Sequence, residues 1–259
     1  MTQLRLVVSL LCAVAFHICS AQAITLQTPR GAELEVIATF PPGQGPFPAV
    51  VLAPGGGYHM ALPILEEVAK QLAERGVAVY RFNWAYFSKD PKAGRPSENL
   101  VREIEDMTTV LNHARRETRI VASRIFVGGK SLGTGVAWSL LAANKDLRGA
   151  LLLTPVCSSL KDGTVVAEAD ENYPGMSAER RPVSFILGDQ DPLCSVGVLY
   201  RFAASAAGPA RVSVLSGNHG LEDPALSGAA KDVAKLRSAR LAGALAADFV
   251  AQYAQQSAP

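Results

Sequence analysis

The sequence predicts an α/β protein, a mostly parallel twisted sheet of about eight strands with helices on both faces. Three observations point there. Short apolar runs bounded by Gly, Pro or polar residues recur along the chain, and between most of them lie longer stretches with apolar residues every three or four positions. Several strand runs, such as Ala49 to Ala53 and Gly149 to Leu153, are apolar without interruption, as strands covered on both faces are. Such alternation feeds a parallel sheet through right-handed crossovers.

Taken in order, residues 24–27 and 33–39 read as two antiparallel strands around Pro29 to Gly31, the second alternating charged and apolar residues as an edge strand does. The apolar run 49–53 follows and ends in Pro54, Gly55, Gly56, Gly57, Tyr58 and His59. A helix with Ile64, Leu65, Val68, Ala69 and Leu72 on one side begins after Pro63 and is closed by Gly76. Strand 77–82 and a polar loop over 83–96 lead to a helix carrying Leu100, Ile104, Met107, Leu111 and Ala114. Then come a strand at 125–127, a helix from Leu132 to about Asn144, and a buried strand from Gly149. Residues 157–182 are charged and break the rhythm. It resumes with strand 183–188, a helix over 196–207, strand 211–215, and a final helix from about Ala230 to Tyr253 with Leu241, Leu245 and Phe249 on its apolar side. With no linker long enough to divide the chain, residues 24–259 are expected to form one domain.

The chemistry begins at Gly129-Lys130-Ser131-Leu132-Gly133, a Gly-x-Ser-x-Gly pattern between a strand and a helix. A serine at so sharp a turn crowds the residues two before and two after it, and glycine at both removes the colliding side chains. The helix N-terminus beyond it favours developing negative charge. In a parallel sheet the loops at the carboxyl ends of the strands share one edge. Two other strand ends carry reactive groups: Asp189 and Asp191 after strand 183–188, and His219 after strand 211–215. A serine hydroxyl needs a base to take its proton, and neutral imidazole suits that role when a carboxylate orients it. At this point either aspartate could serve.

From about Ala49 to Val250 the pattern resembles the α/β-hydrolase superfamily. It is most similar to small, nearly capless members, the dienelactone-hydrolase-like and testis-expressed hydrolase-like proteins, through Gly128 to Thr134, Leu187 to Cys194 and Gly217 to Gly220. The resemblance implies Ser131 as nucleophile, Asp191 as acid and His219 as base. It also implies an oxyanion hole from the backbone N–H of Leu132 and of Gly56 or Gly57, in a loop that lacks the His-Gly found in many relatives. Tyr58, His59, Trp84 and Tyr86 are expected near the substrate, His113 in solvent, Trp138 in packing, and Lys130 pointing aside. The implied activity is cleavage of a small carboxylic ester or related acyl compound through an acyl-serine, with no metal or organic cofactor. The rivals are an amide, peptide or lactone hydrolase and a non-catalytic binding or scaffold protein on the same fold.

Residues 1–23 read as a signal peptide: Arg5, an apolar stretch from Leu6 to Ile18, and the small-x-small site Ala21-Gln22-Ala23. The expectation is therefore an exported protein, periplasmic or secreted, with no stable membrane insertion after cleavage. A net charge of +2 gives no basis for nucleic-acid binding. Cleavage would leave Cys157 and Cys194, a candidate disulfide between two neighbouring strand ends.

Overall fold

The computed structural model of the protein describes residues 19–256. The expected signal-peptide core, Leu6 to Ile18, lies outside the described residues. Among the described residues ten strands and seven α-helices follow one another in the order β1 (Ser20–Gln27), β2 (Glu33–Phe40), β3 (Phe47–Ala53), α1 (Pro63–Glu74), β4 (Ala78–Phe82), α2 (Ala85–Lys89), α3 (Val101–Arg116), β5 (Ile120–Lys130), α4 (Leu132–Ala143), β6 (Gly149–Leu153), β7 (Ser158–Lys161), β8 (Thr164–Ala167), α5 (Ala169–Asn172), β9 (Val183–Gly188), α6 (Val196–Ala204), β10 (Ala210–Leu215) and α7 (Gly228–Ala254). Eight strands form one sheet in the order β1-β2-β4-β3-β5-β6-β9-β10. The β1/β2 and β2/β4 pairs are antiparallel and the others parallel.

Successive strand side chains point to opposite faces, and two cores result. Val50 and Leu52 of β3, with Leu151 and Leu153 of β6, pack on α1 and α7; Ala49, Val51 and Ala53, with Ala150 and Leu152, face α3, α4 and α6. Helix α1 starts with Pro63 at its first turn. It ends in a Schellman cap: Gly76 takes φ +80° and donates to the Ala73 carbonyl, while Val77 donates to that of Leu72.

Several elements depart from expectation. In α7 the buried stripe is Ala239, Ala242, Gly243, Ala246, Ala247, Phe249 and Val250, while Leu241 is 46% exposed. The helix approaches α1 so closely that a Cβ on Gly243 would stand 3.0 Å from the Glu67 carbonyl oxygen, so small residues make the seam. The irregular stretch 157–182 contains the β7–β8 hairpin and the one-turn helix α5, and the loop 83–96 contains α2. Strand β1 begins at Ser20, so Ile24 to Gln27, paired with Val36 to Glu33, would survive a cut after Ala23.

Candidate active site

Ser131 lies between β5 and α4 with φ 53° and ψ −123°, a conformation that L-residues adopt only where the surroundings enforce it. Close packing enforces it here. A Cβ on Gly129 would come within 2.2 Å of the Gly133 carbonyl oxygen, and one on Gly133 within 2.5 Å of that of Pro54. The turn is tied down by Ser131 N–H to the Leu153 carbonyl at 2.9 Å and Thr134 N–H to the Ser131 carbonyl at 2.8 Å. The Thr134 hydroxyl also donates to the Ser131 carbonyl; it therefore accepts from the buried Tyr173 hydroxyl at 2.8 Å, which in turn accepts from Val156 N–H at 2.9 Å.

Residues beyond two further strand ends, those of β9 and β10, converge on this serine. His219 Nε2 is 2.8 Å from Ser131 Oγ, and its Nδ1 is 2.8 Å from Asp191 Oδ2 and 3.0 Å from Oδ1. A carboxylate only accepts, so Nδ1 carries the proton and Nε2 offers its lone pair to the serine O–H. The Asp191 side chain is fully buried and accepts from Leu193 N–H at 2.8 Å. Asp189 is exposed and accepts instead from Gly217 N–H at 2.8 Å, stapling the histidine loop to the end of β9. There Gly188 lets the two backbones meet, since a Cβ would lie 2.1 Å from the Gly217 carbonyl oxygen. Beyond it, Asn218 Oδ1 accepts from the N–H groups of Gly220 and Glu222 and closes the loop around His219.

The glycine run after β3 borders the serine. A Cβ on Gly55 would be 3.3 Å from Ser131 Cβ, and one on Gly56 3.3 Å from the Leu132 side chain. Gly57 donates its N–H to Tyr86 Oη at 3.3 Å, which leaves Gly56 as the glycine beside Leu132. Tyr58 is exposed and lines a cleft of about 90 Å³ with Leu62, Ile64, Lys130, Gly220 and Leu221. Trp84, expected near the substrate, is instead completely buried: its ring packs edge-on against Phe82 and its Nε1 donates to the Gly55 carbonyl at 3.2 Å. It shapes the glycine loop from behind, its buried indole N–H satisfied by that carbonyl. His59 is exposed and accepts from Ala61 N–H. His113 is half-buried against Tyr80 rather than solvated, and burial lowers its pKa. Trp138 packs on Tyr173 and donates to the Pro174 carbonyl.

Lys130 does not point aside. It is 3% exposed, and its Nζ donates to Thr154 Oγ1 and to the His219 carbonyl, each at 3.2 Å. Burial lowers its pKa to about 8, against the raising influence of Asp191 and Glu222. Nothing in the sequence marks it except its place before Ser131; Tyr173, in the irregular segment, carries no signal at all.

Cys157 and Cys194 form a disulfide with Cα atoms 4.5 Å apart. The Leu193 carbonyl accepts from the N–H groups of Cys157 and Ser158, so the loop bearing Asp191 is fastened covalently and by hydrogen bonds to the end of β6. Among the described residues no group of three His, Cys, Asp or Glu side chains is placed to hold a metal ion, and no helix is long and apolar enough to cross a membrane.

Several solved structures share this fold. A dienelactone hydrolase from Anabaena variabilis superposes with a TM-score of 0.67 at 16% identity, covering 91% of this chain and 98% of that one. The esterase domain of a Rhodothermus marinus protein gives 0.65 at 15% identity over 91% and 99%. An alpha-beta serine hydrolase homologue from Coxiella burnetii gives 0.63 at 20% identity over 86% and 96%. At these identities the likeness is one of fold. The family described as alpha/beta hydrolase domain matches residues 47–247, more than half of the chain, and the protein belongs to that family.

Proposed function

We propose that this protein is a serine hydrolase that cleaves a small carboxylic ester or related acyl compound through an acyl-Ser131 intermediate. The observation that carries the proposal is the unbroken relay from Asp191 to His219 to Ser131, with 2.8 Å at each of its two links. In this reading His219 takes the serine proton as Oγ attacks the acyl carbon, then delivers it to the leaving alcohol. Asp191 holds the imidazole in the tautomer that presents Nε2 and stabilises the imidazolium. The N–H groups of Leu132 and Gly56 receive the oxyanion, each such donor contributing ~10²–10³ in rate. Water activated by His219 then releases the acid.

Among the described residues there is no cap larger than the β7–β8 hairpin, and Ser131 and His219 are partly exposed, which favours an open site with modest demands on the substrate. The names of the structural neighbours, an esterase domain and a dienelactone hydrolase, agree with an ester or lactone bond. Export to the periplasm or beyond, after removal of residues 1–23, is part of the same proposal; the disulfide suits an oxidising compartment. A fluorophosphonate probe tests the nucleophile, with labelling of wild type and none of Ser131→Ala expected. Equal labelling of the two would refute the assignment. A panel of p-nitrophenyl esters of rising chain length, with amide and lactone controls, then sets the substrate class, and turnover confined to the amides would replace the ester reading.

A further inference from the structure

Lysine is rarely buried without a carboxylate partner, because the ammonium loses its hydration. Lys130 is buried, yet both its hydrogen-bond acceptors are neutral: Thr154 Oγ1 and the His219 carbonyl. The Tyr58 ring lies 5.1 Å from its Nζ. Thr154 is itself fixed, donating its N–H to the Ile186 carbonyl at 2.6 Å. One side chain therefore ties together the ends of β5, β6 and β10 and the glycine loop after β3. Asp189 and Gln190 hold the loop after β10 at Gly217, before the histidine. The hydrogen bond to the carbonyl of His219 itself comes from Lys130. A leucine or methionine could fill the same volume without burying charge, so packing alone does not account for an ammonium here.

We propose that Lys130 is a positioning residue whose ammonium fixes the main chain of His219, and with it the placement of the imidazole over Ser131, through a charge-assisted hydrogen bond. This rests on the reading of Ser131, His219 and Asp191 as a hydrolytic triad. A neutral amine still donates, but without the charge that strengthens the bond. The groups acting on this ammonium are Asp191 and Glu222, which favour it, and Lys235 of α7, which opposes it; Tyr58, Thr154 and the His219 carbonyl complete its surroundings. Burial outweighs the two carboxylates and brings the pKa to about 8, so the clamp weakens as pH rises through that value.

The test is the rate at which a fluorophosphonate phosphonylates Ser131. In that step the serine oxygen bonds to phosphorus, fluoride leaves, and His219 takes the serine proton, whatever the natural substrate. The limiting rate constant and the probe's half-saturation concentration are measured from pH 6 to 10 for wild type, Lys130→Met and Lys130→Arg, with folding checked by thermal melting. Wild type should lose reactivity above about pH 8. Lys130→Met should lower the limiting rate roughly 10- to 100-fold, as a small misplacement of a catalytic group does, with half-saturation nearly unchanged and no alkaline fall. Lys130→Arg, charged throughout this range, should recover most of the rate and hold it to pH 10. An alkaline fall kept in Lys130→Arg, or a Lys130→Met protein as reactive as wild type, would overturn the clamp alone. Should Lys130→Met not fold, the Lys130→Arg profile decides. Wild-type protein whose labelling does not depend on Ser131 would overturn the triad reading, and the clamp with it.

Discussion

Two aspartates separated by one glutamine stand at the end of β9 and meet different partners. Asp191 reaches the imidazole and Asp189 reaches the backbone of Gly217. Asp191→Asn should lower hydrolytic turnover ~10⁴-fold while the fold survives, because an amide cannot hold His219 in the required tautomer. Asp189→Ala should change turnover only a few-fold and destabilise by about 1 kcal/mol or less, since water can replace an exposed acceptor. Steady-state rates and urea midpoints of the two variants check both, and comparable rate losses would contradict the division of roles. Lys130 offers a test of another kind. Below pH 8 folded and unfolded chains both carry its proton, so the folded state bears the full cost of a buried charge. Between about 8 and the ordinary 10.5 the unfolded chain binds the proton more, so this residue's contribution to stability rises with pH; above 10.5 both states are neutral. The unfolding free energy of wild type relative to Lys130→Met should therefore increase between pH 7.5 and 10.5. Urea titrations at the two ends measure it, and an unchanged difference would contradict a depressed pKa. Ser131 and His219 stood out because each is a reactive residue in a Gly-rich strand end, whereas the strand end left Asp189 and Asp191 open and only the family resemblance pointed to Asp191. The burial of Lys130 was not legible, because it is set by chain segments remote in sequence.

At the scale of the element, the elbow shows two kinds of glycine. Gly133 lies under the Pro54 and Ala53 carbonyls, whereas a Cβ on Gly135, two residues further into α4, would meet nothing within 4 Å. Gly133→Ala should destabilise by roughly 1–3 kcal/mol through overpacking, and Gly135→Ala should stabilise by about 0.5–1 kcal/mol by restricting the unfolded chain and favouring helix. Melting temperatures that move in opposite directions are the expected result; a loss of stability at both positions would mean that α4 tolerates no added methyl. The central strands of the main sheet, such as β3 and β6, were readable because two-sided burial demands unbroken apolar runs, and β2 was readable by its alternation. The β7–β8 hairpin escaped notice because it buries almost nothing: Leu160 and Val165 are 66% and 50% exposed. Helix α2 has no buried residue and is held at its start by Ala85 N–H on Asp106 Oδ2, a partner 21 positions away. In α7 the reading followed the largest apolar residues, while close approach to α1 selected alanine and glycine.

Across the whole molecule, the groups proposed as reactive come from loops at one edge of the sheet, and among the described residues the loop that bears Asp191 is the one with a covalent anchor. The disulfide joins residues 37 apart, and closing a loop of that size in the unfolded chain is worth ~3–4 kcal/mol in the chain-entropy view. Sequence could name the two cysteines and their adjoining strands, but the pairing depended on how the loops after β6 and β9 settle. In protein beginning at Ile24, thiol titration after unfolding without reductant should find neither cysteine free. A Cys157→Ala/Cys194→Ala double variant should shift the urea midpoint by an amount equivalent to ~3 kcal/mol. Its turnover at low temperature should fall far less than that of Asp191→Asn, because Asp191 is also fixed by the Leu193 N–H and by its bond to His219. The bridge on this account stabilises the folded chain and leaves the orientation of the carboxylate to local hydrogen bonds. A double variant as inactive as Asp191→Asn, yet still folded, would show instead that the covalent link sets the geometry of the acid.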